Sequence, residues 1–426
     1  MISIEELYRI YQKHPSIQTD TRQLKKDDIF FALKGNNFNG NLFVNQAFER
    51  GAAYAVVDEK QTAHSEKIIL VDDVLATLQH LAKYHRQQFN IPFIAITGSN
   101  GKTTTKELIH AALTSTYRTY TTQGNLNNHI GIPLTLLKIK PDAEIAVIEM
   151  GANHLKEIEG YCKYALPTHG IITNAGKAHL EGFGGIEGVK KGKGELYDFL
   201  RAYNGVGFVM WDYDYLRSMS EGISTIIKYG THDAEITGVV SKSEPFLEVE
   251  MTKGTLIKKI STRLVGDYNL PNVLSAVAVG KYFKVEDEKI KSAIENYEPS
   301  NSRSQMIEKG SNKIILDAYN ANPSSMKAAI ENFAKLKADK KVLMLGAMAE
   351  LGEESLEEHK NIIDLIAQYK WHKVVLVGGD FLKIENIFTT LASSSEAKEW
   401  FRKESLQNAC ILIKGSRSMQ MEKVLE

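Results

Sequence analysis

Short apolar runs rich in valine, isoleucine and phenylalanine recur along the 426 residues, and stretches with helical spacing separate most of them. The first runs, "DIFFAL", "AYAVV" and "KIILV", sit between polar turns and read as strands. A helical stretch, "VLATLQHLAKYHRQQF", follows and predicts a domain boundary near Tyr84. Strand and helix then alternate through "FIAIT", "EIAVIEM", "HGIIT" and "GVGFVM", the pattern of a parallel α/β sheet. In "AEITGVVSKSEPFLEVEMTKGTLIKKISTRLVG" a period of two predicts antiparallel pairs, and "NLPNVLSAVAVGKYF" reads as a closely packing helix. A turn-rich stretch at 298–301 marks a second boundary, after which alternation restarts through "KIILDAY", "KVLMLGA", "KVVLVGG" and "ACILIKG". The pattern predicts an α/β protein of three domains: a small α/β unit at 1–84, a parallel-sheet unit at 85–298, and a Rossmann-like unit at 299–426. The last has no G-x-G-x-x-G, so it is not read as a dinucleotide site.

Charge narrows the class. Lysine plus arginine equals aspartate plus glutamate at 52 each, which leaves no basic field for a nucleic acid. No apolar run reaches the ~20 residues of a membrane span, and the N-terminal stretch lacks a signal-peptide pattern. The two cysteines, Cys162 and Cys410, are far apart and suit a reducing compartment. A cytoplasmic, monomeric protein without membrane insertion is expected.

The chemistry begins at "FIAITGSNGKTTTKELI": a strand, a glycine turn and a helix start. Gly98, Ser99, Asn100, Gly101, Lys102, Thr103 and Thr104 form a short phosphate cradle, G-x-x-G-K-T, with Ile96 where the longer motif carries its first glycine. Backbone N–H groups and the helix dipole favour phosphate there, Lys102 neutralises charge, and the Thr103 hydroxyl reaches Mg²⁺. A plain glycine turn is the competing reading, and the Lys-Thr-Thr run counts against it. An ATPase, a kinase and a ligase look alike at this point. Ligand groups collect at the carboxyl ends of parallel strands, where Glu149 and the segment Asn174 to His179 fall. A carboxylate ending an apolar strand calls for a cation such as Mg²⁺.

Together the motifs resemble the Mur ligase family, the ATP-dependent amide ligases of peptidoglycan precursor synthesis. The likeness runs through "TDTR" with "FALKG", "TGSNGKTTTK", "TQGNLNNHIGIPLTLL", "EMGANH", "ITNAGKAHLEGFGGIEGVKKGKGELY", "GDYNLPNVLSA", "DAYNANPSSM", "LGAMAELGEES" and "IKGSRSM". It implies ATP, two Mg²⁺ ions and a carbamylated Lys193. Thr103 and Glu149 would serve the ATP-bound ion, and Glu149, His179 and Lys193 the other. Lys102, His179, Lys193 and Arg303 would be catalytic, with Asn269 and Asn272 at the adenine and Asp317 at the ribose, followed by Asn320 in the same wall. Thr21 and Arg22 would meet the uridine side, and Asn125, Asn127 and Asn128 the UDP-sugar. Lys414, Ser416 and Arg417 would face the cleft and touch the peptide substrates. "YNANPSSM" and "KGSR" favour the member that joins D-alanyl-D-alanine to UDP-N-acetylmuramoyl-tripeptide, and the D-N-P-R motif of a sibling is absent. Other readings are a folylpolyglutamate synthetase-like or neighbouring Mur amide ligase, and a catalytically silent nucleotide-binding regulator. Three positions depart from the family pattern: Tyr268 for histidine, Ala347 for an acid and Met210 for asparagine.

Overall fold

A computed structural model describes residues 2–61, 65–300 and 302–426. Asn301, at the expected second boundary, lies outside the described residues. Among the described residues, three main sheets carry the chain. The first is parallel and joins Ile17–Gln18, Ile29–Phe31, Tyr54–Val57 and Ile68–Leu70 in that order. Helix Val74–Arg86 runs past Tyr84, so the expected boundary falls in its last turn. Arg86 fastens that turn to the next unit: it donates to Ala165 O at 3.1 Å and Leu166 O at 2.9 Å, and stacks 3.6 Å over the Phe93 ring.

The second sheet centres on Phe93–Thr97, with His169–Ile172 on one side and Ile145–Glu149 on the other, both parallel to it. All five residues of Phe93–Thr97 and of Ile145–Glu149 are buried, as expected of strands covered on both faces. Outward from His169–Ile172 the sheet continues through Val206–Met210, Thr225–Gly230 and Ile236–Lys242, still parallel. The antiparallel strands Glu248–Lys253 and Lys259–Ser261 close that edge. The period-two patch is therefore an extension of the same sheet. Helix Leu270–Tyr282, buried through most of its length, covers it and packs on the helix Lys102–Thr114.

The third sheet runs Gln305–Lys309, Asn312–Asp317, Cys410–Lys414, Lys341–Gly346, Lys373–Val377 and Thr389–Leu391. Only its first pair is antiparallel. One continuous apolar cluster includes residues of all three sheets, while the far faces of the first and third sheets have separate clusters. The strand ends of the second and third sheets consequently meet across a common cleft.

Candidate active site

The phosphate loop is locked by its neighbour strand. Gly98 has φ 144°, and a Cβ there would lie 2.0 Å from Thr173 Oγ1. Gly101 has φ 79°, and its Cβ would meet Asn272 Oδ1 at 2.7 Å. Only glycine suits both. Ser99 N donates to Asn174 O at 2.9 Å, Asn100 N to Asn174 Oδ1 at 2.9 Å, and Thr173 Oγ1 to Asn100 O at 2.6 Å. Lys102 opens the helix Lys102–Thr114 and folds back over the loop, donating to Gly98 O at 2.7 Å and Ser99 O at 3.1 Å. Burial lowers its pKa; Glu149 opposes that shift and Arg303 adds to it. The loop thus offers an anion a helix N-terminus with a cation held beside it.

Glu149 is 1% exposed. Its Oε1 accepts from Asn127 Nδ2 at 2.7 Å and Thr103 Oγ1 at 3.2 Å, while its N–H donates to Thr122 Oγ1 at 2.9 Å. Its Oε2 is buried without a hydrogen-bond partner. A buried, unpartnered carboxylate oxygen beside a threonine hydroxyl fits a hard cation. Lys193, in the helix Ile186–Ala202, is 1% exposed and donates to Ala152 O at 2.8 Å, with its Nζ 4.9 Å from the Phe183 ring centre. Burial pushes its pKa far below the ordinary lysine value, and the Lys102 charge adds to this. His179 lines the cleft, but its Nδ1 meets Glu350 of the third domain. Lys193 does not line the cleft, although Ala152 above it does. Among the described residues, no three histidine, cysteine, aspartate or glutamate side chains form a metal-holding group. Of the four expected ligands the structure joins Thr103 and Glu149 directly.

The opposite wall comes from the third domain. Asn322 Nδ2 donates to Asn100 Oδ1 at 2.8 Å, and Asn322 also caps the helix Pro323–Lys335 through Ser325 N at 2.9 Å. Ser324 Oγ accepts from Lys177 N at 2.9 Å, and Lys177 pairs with Glu358. Asp317 and Lys414 end adjacent parallel strands and pair at 2.6 Å, with Lys414 only 2% exposed. Asp317 also accepts from Ser304 N at 3.0 Å, and Lys414 donates to Asn320 O at 3.2 Å. The Arg303 guanidinium lies 3.5 Å over the Tyr319 ring. The walls enclose about 680 Å³, the size of a small-molecule site.

Several expected residues have other partners. Asn269 and Asn272 line the cleft but are buried and bonded inward: Asn269 donates to Val265 O at 2.9 Å, and Asn272 donates to Asn269 Oδ1 at 2.8 Å and accepts from Thr105 Oγ1 at 3.0 Å. Asn127 and Asn128 line it as well; exposed Asn125 does not. Thr21 bonds to Gln46 at 2.5 Å and Arg22 pairs with Asp20 at 2.7 Å, both outside the cleft. Against the expectation that Lys414, Ser416 and Arg417 all face the cleft, only Lys414 lines it. Ser416 Oγ is bonded to Ala347 O at 2.6 Å, and Arg417 pairs with Glu422 at 2.8 Å. Of the departures, Tyr268 lines the cleft and bonds to Ser304 Oγ at 3.1 Å, whereas Ala347 and Met210 are buried. Sequence reasoning assigned no role to Glu350, although "LGAMAELGEES" contains it, and it missed the bond from Asn127 to Glu149.

The chain resembles known proteins along nearly its whole length. Family models described as "Mur ligase family, catalytic domain", "Mur ligase middle domain" and "Mur ligase, glutamate ligase domain" match residues 15–86, 96–280 and 302–417. A Bacillus subtilis relative named UDP-N-acetylmuramoyl-tripeptide–D-alanyl-D-alanine ligase is 36% identical, covering 96% of this chain and 92% of the relative. A crystal structure of MurF from Acinetobacter baumannii has a TM-score of 0.89 at 29% identity, over 98% of this chain and 97% of that one. MurF ligase from Thermotoga maritima, in complex with ADP, has a TM-score of 0.86 at 25% identity, over 96% of each chain. With a glycine-locked phosphate loop, a three-domain cleft and likeness from end to end, this chain belongs to the Mur ligase family.

Proposed function

We propose that the protein is an ATP-dependent, ADP-forming ligase that joins D-alanyl-D-alanine to UDP-N-acetylmuramoyl-tripeptide in the cytoplasm. The observation that carries this reading is the end-to-end likeness to ligases of that name, joined to a phosphate loop whose lysine lies near a buried acid. The γ-phosphoryl group passes to the terminal carboxylate of the tripeptide, ADP leaves, and an acyl phosphate results. The dipeptide's neutral amine attacks the acyl carbon, the tetrahedral adduct expels phosphate, and the amine loses its proton. Carboxylate oxygen is a poor leaving group and phosphate a good one, which is why ATP is spent.

The residues take the following parts. Gly98 to Thr104 cradle the phosphates, with Lys102 neutralising the group in transfer. Thr103 and Glu149 would hold Mg²⁺, and the bare Glu149 Oε2 supports this. His179 and Lys193 would complete a second site. Bound there, Mg²⁺ supplies charge neutralisation for phosphoryl oxygens. Lys193 would act as its carbamate. Burial lowers the pKa of its amine and so favours the neutral form; as the neutral amine it would add CO₂, forming a C–N bond and releasing a proton. The product is an anion with two hard oxygen donors. Arg303, Asp317 and Asn320 would flank the nucleotide, and Asn269 and Asn272 would buttress the phosphate loop beneath the adenine. Asn127 and Asn128 lie on the donor's path, and Thr21, Arg22 and Asn125 on the outer reach of the UDP-sugar.

The test is ADP release at saturating UDP-tripeptide with different acceptors. D-Ala-D-Ala should support turnover and single D-alanine only poorly. If glutamate or a free diamino acid outperforms the dipeptide, the reading is wrong. For Lys193, ¹³CO₂ should give a carbamate carbon signal that Lys193→Ala abolishes, and a small carboxylate in the buffer should restore part of that variant's activity.

A further inference from the structure

Glu350 occupies a strained position at the seam between the third and middle domains. It lies between the strand Lys341–Gly346 and the helix Ser355–Ala367, with φ 62°. That left-handed conformation is uncommon outside glycine and, where it persists, is held by the surroundings. Here it is held from two sides. Within the third domain, fully buried His359 accepts from Met348 N at 3.0 Å through Nε2, while its Nδ1 donates to Ser355 O at 2.7 Å. Across the seam, Glu350 O accepts from Glu181 N at 3.3 Å. The loop is thereby pressed onto the helical turn Leu180–Phe183, whose N-cap is His179.

The Glu350 carboxylate meets Nδ1 of His179. That nitrogen is buried, and the approach of the carboxylate is an ion-pair contact: no hydrogen bond of regular geometry reaches Nδ1 among the described residues. His179 is itself left-handed, at φ 54°. Two strained residues, one from each domain, therefore present their side chains to each other.

We propose that Glu350 is a positioning residue: it holds the proton of His179 on Nδ1 and leaves the Nε2 lone pair for a cation in the cleft. Docking of the third domain then completes a ligand of the middle domain. This rests on the reading of His179 as a metal ligand, whereas the Glu350–His179 contact stands on geometry alone. Carboxylates that receive the far N–H of a ligating histidine fix its tautomer and orientation, and their loss typically weakens metal binding about 10–100-fold.

The experiment uses the full-length protein. Glu350→Gly removes the carboxylate and accepts the positive φ, and Glu350→Gln keeps the shape without the charge. First, two-bond ¹H–¹⁵N imidazole correlations are recorded on metal-free protein, with His179→Gln assigning the resonance. Wild type should show the Nδ1–H tautomer and Glu350→Gly a mixture. A wild-type imidazole carrying its proton on Nε2 overturns the proposal. Second, Mn²⁺ affinity is measured by electron paramagnetic resonance with ADP present. It should fall about 10–100-fold in Glu350→Gly and less in Glu350→Gln. If His179→Gln weakens Mn²⁺ binding and Glu350→Gly does not, the positioning role fails while the ligand reading survives. If neither variant changes it, the ligand reading fails and the proposal falls with it.

Discussion

The two walls of the cleft are built on different principles. The middle-domain wall is made of bonds between the loop Gly98–Lys102 and the adjoining strand end at 173–176, many of them to backbone atoms. Glycines at 98 and 101 leave no room for drift. The third-domain wall reaches the middle domain mainly through side chains, Asn322 to Asn100, Ser324 to Lys177 N and Glu350 to His179, with one backbone bond from Glu181 N to Glu350 O. One wall is fixed within its own domain, and the other is built from bonds across the seam, an arrangement that domain docking could complete, as is common where water must be excluded from a reactive intermediate. The division suits the proposed reaction, in which an acyl phosphate would need shielding from hydrolysis.

The sharpest way to break the comparison is Lys102→Ala. If the middle wall is preorganised, losing its cation should leave the fold intact and cut ADP formation by ~10²–10³-fold, the usual cost of one fixed electrostatic donor. A folded variant with near-normal turnover would put the γ-phosphate elsewhere.

A preorganised wall needs a rigid interior, and His169 tests that. It begins the strand His169–Ile172 and is 7% exposed, packed among Phe208, Tyr282 and Phe283. Burial pushes its pKa down from 6.5 to about 4. The folded histidine stays neutral where the unfolded one takes a proton, so its contribution is present above about pH 6.5 and is lost as pH falls towards 4. The window is worth roughly 3 kcal/mol at 1.36 kcal/mol per unit. Urea unfolding of wild type and His169→Gln across pH 4–7 should show a shallower acid loss in the variant. Parallel curves would mean that the imidazole is solvated in the native state.

The same contrast explains what was legible beforehand. The strands "FIAIT" and "EIAVIEM" and the loop between Gly98 and Thr104 are local patterns, in which periodicity, glycine placement and a helix start coincide. They reappear as Phe93–Thr97, Ile145–Glu149 and the start of Lys102–Thr114. Strands Thr119–Thr121 and Thr389–Leu391 are too short and polar to carry a period. Contacts across the seam were invisible for another reason. Asn100 and Asn322 are 222 residues apart, and nothing local tells an asparagine which partner it will find. The inward bonding of Asn269 and Asn272 was hidden likewise, because composition does not reveal which amide protons are already used.

Coupling between the walls should be measurable and modest. Asn100 and Asn322 exchange amide hydrogen bonds, at 2.8 Å and 3.4 Å, and Asn322 also caps its helix. A double-mutant cycle with both alanine variants cancels the cap term. The interaction energy in kcat/KM for ATP should be about 0.5–1.5 kcal/mol, the net worth of such bonds. Strict additivity would show that the walls act independently.

The smallest effect is expected at Arg417, and it separates position in the chain from position in space. The residue follows the last strand of the third sheet, where family resemblance puts a contact to the peptide substrates. Its backbone is set by Ser416, whose N–H and hydroxyl both donate to Ala347 O, at 3.2 Å and 2.6 Å. A short turn, Arg417–Met419, then directs the guanidinium to Glu422, and the side chain remains 64% exposed. An exposed pair of this kind is worth about 0–1 kcal/mol, so Arg417→Ala should change the dipeptide KM by at most about fivefold. It should leave the KM for ATP in the same range. A selective rise of tenfold or more in the dipeptide KM would show that the working enzyme releases Glu422 and swings Arg417 into the cleft. The docked wall would then rearrange within its own domain as well as move as a unit.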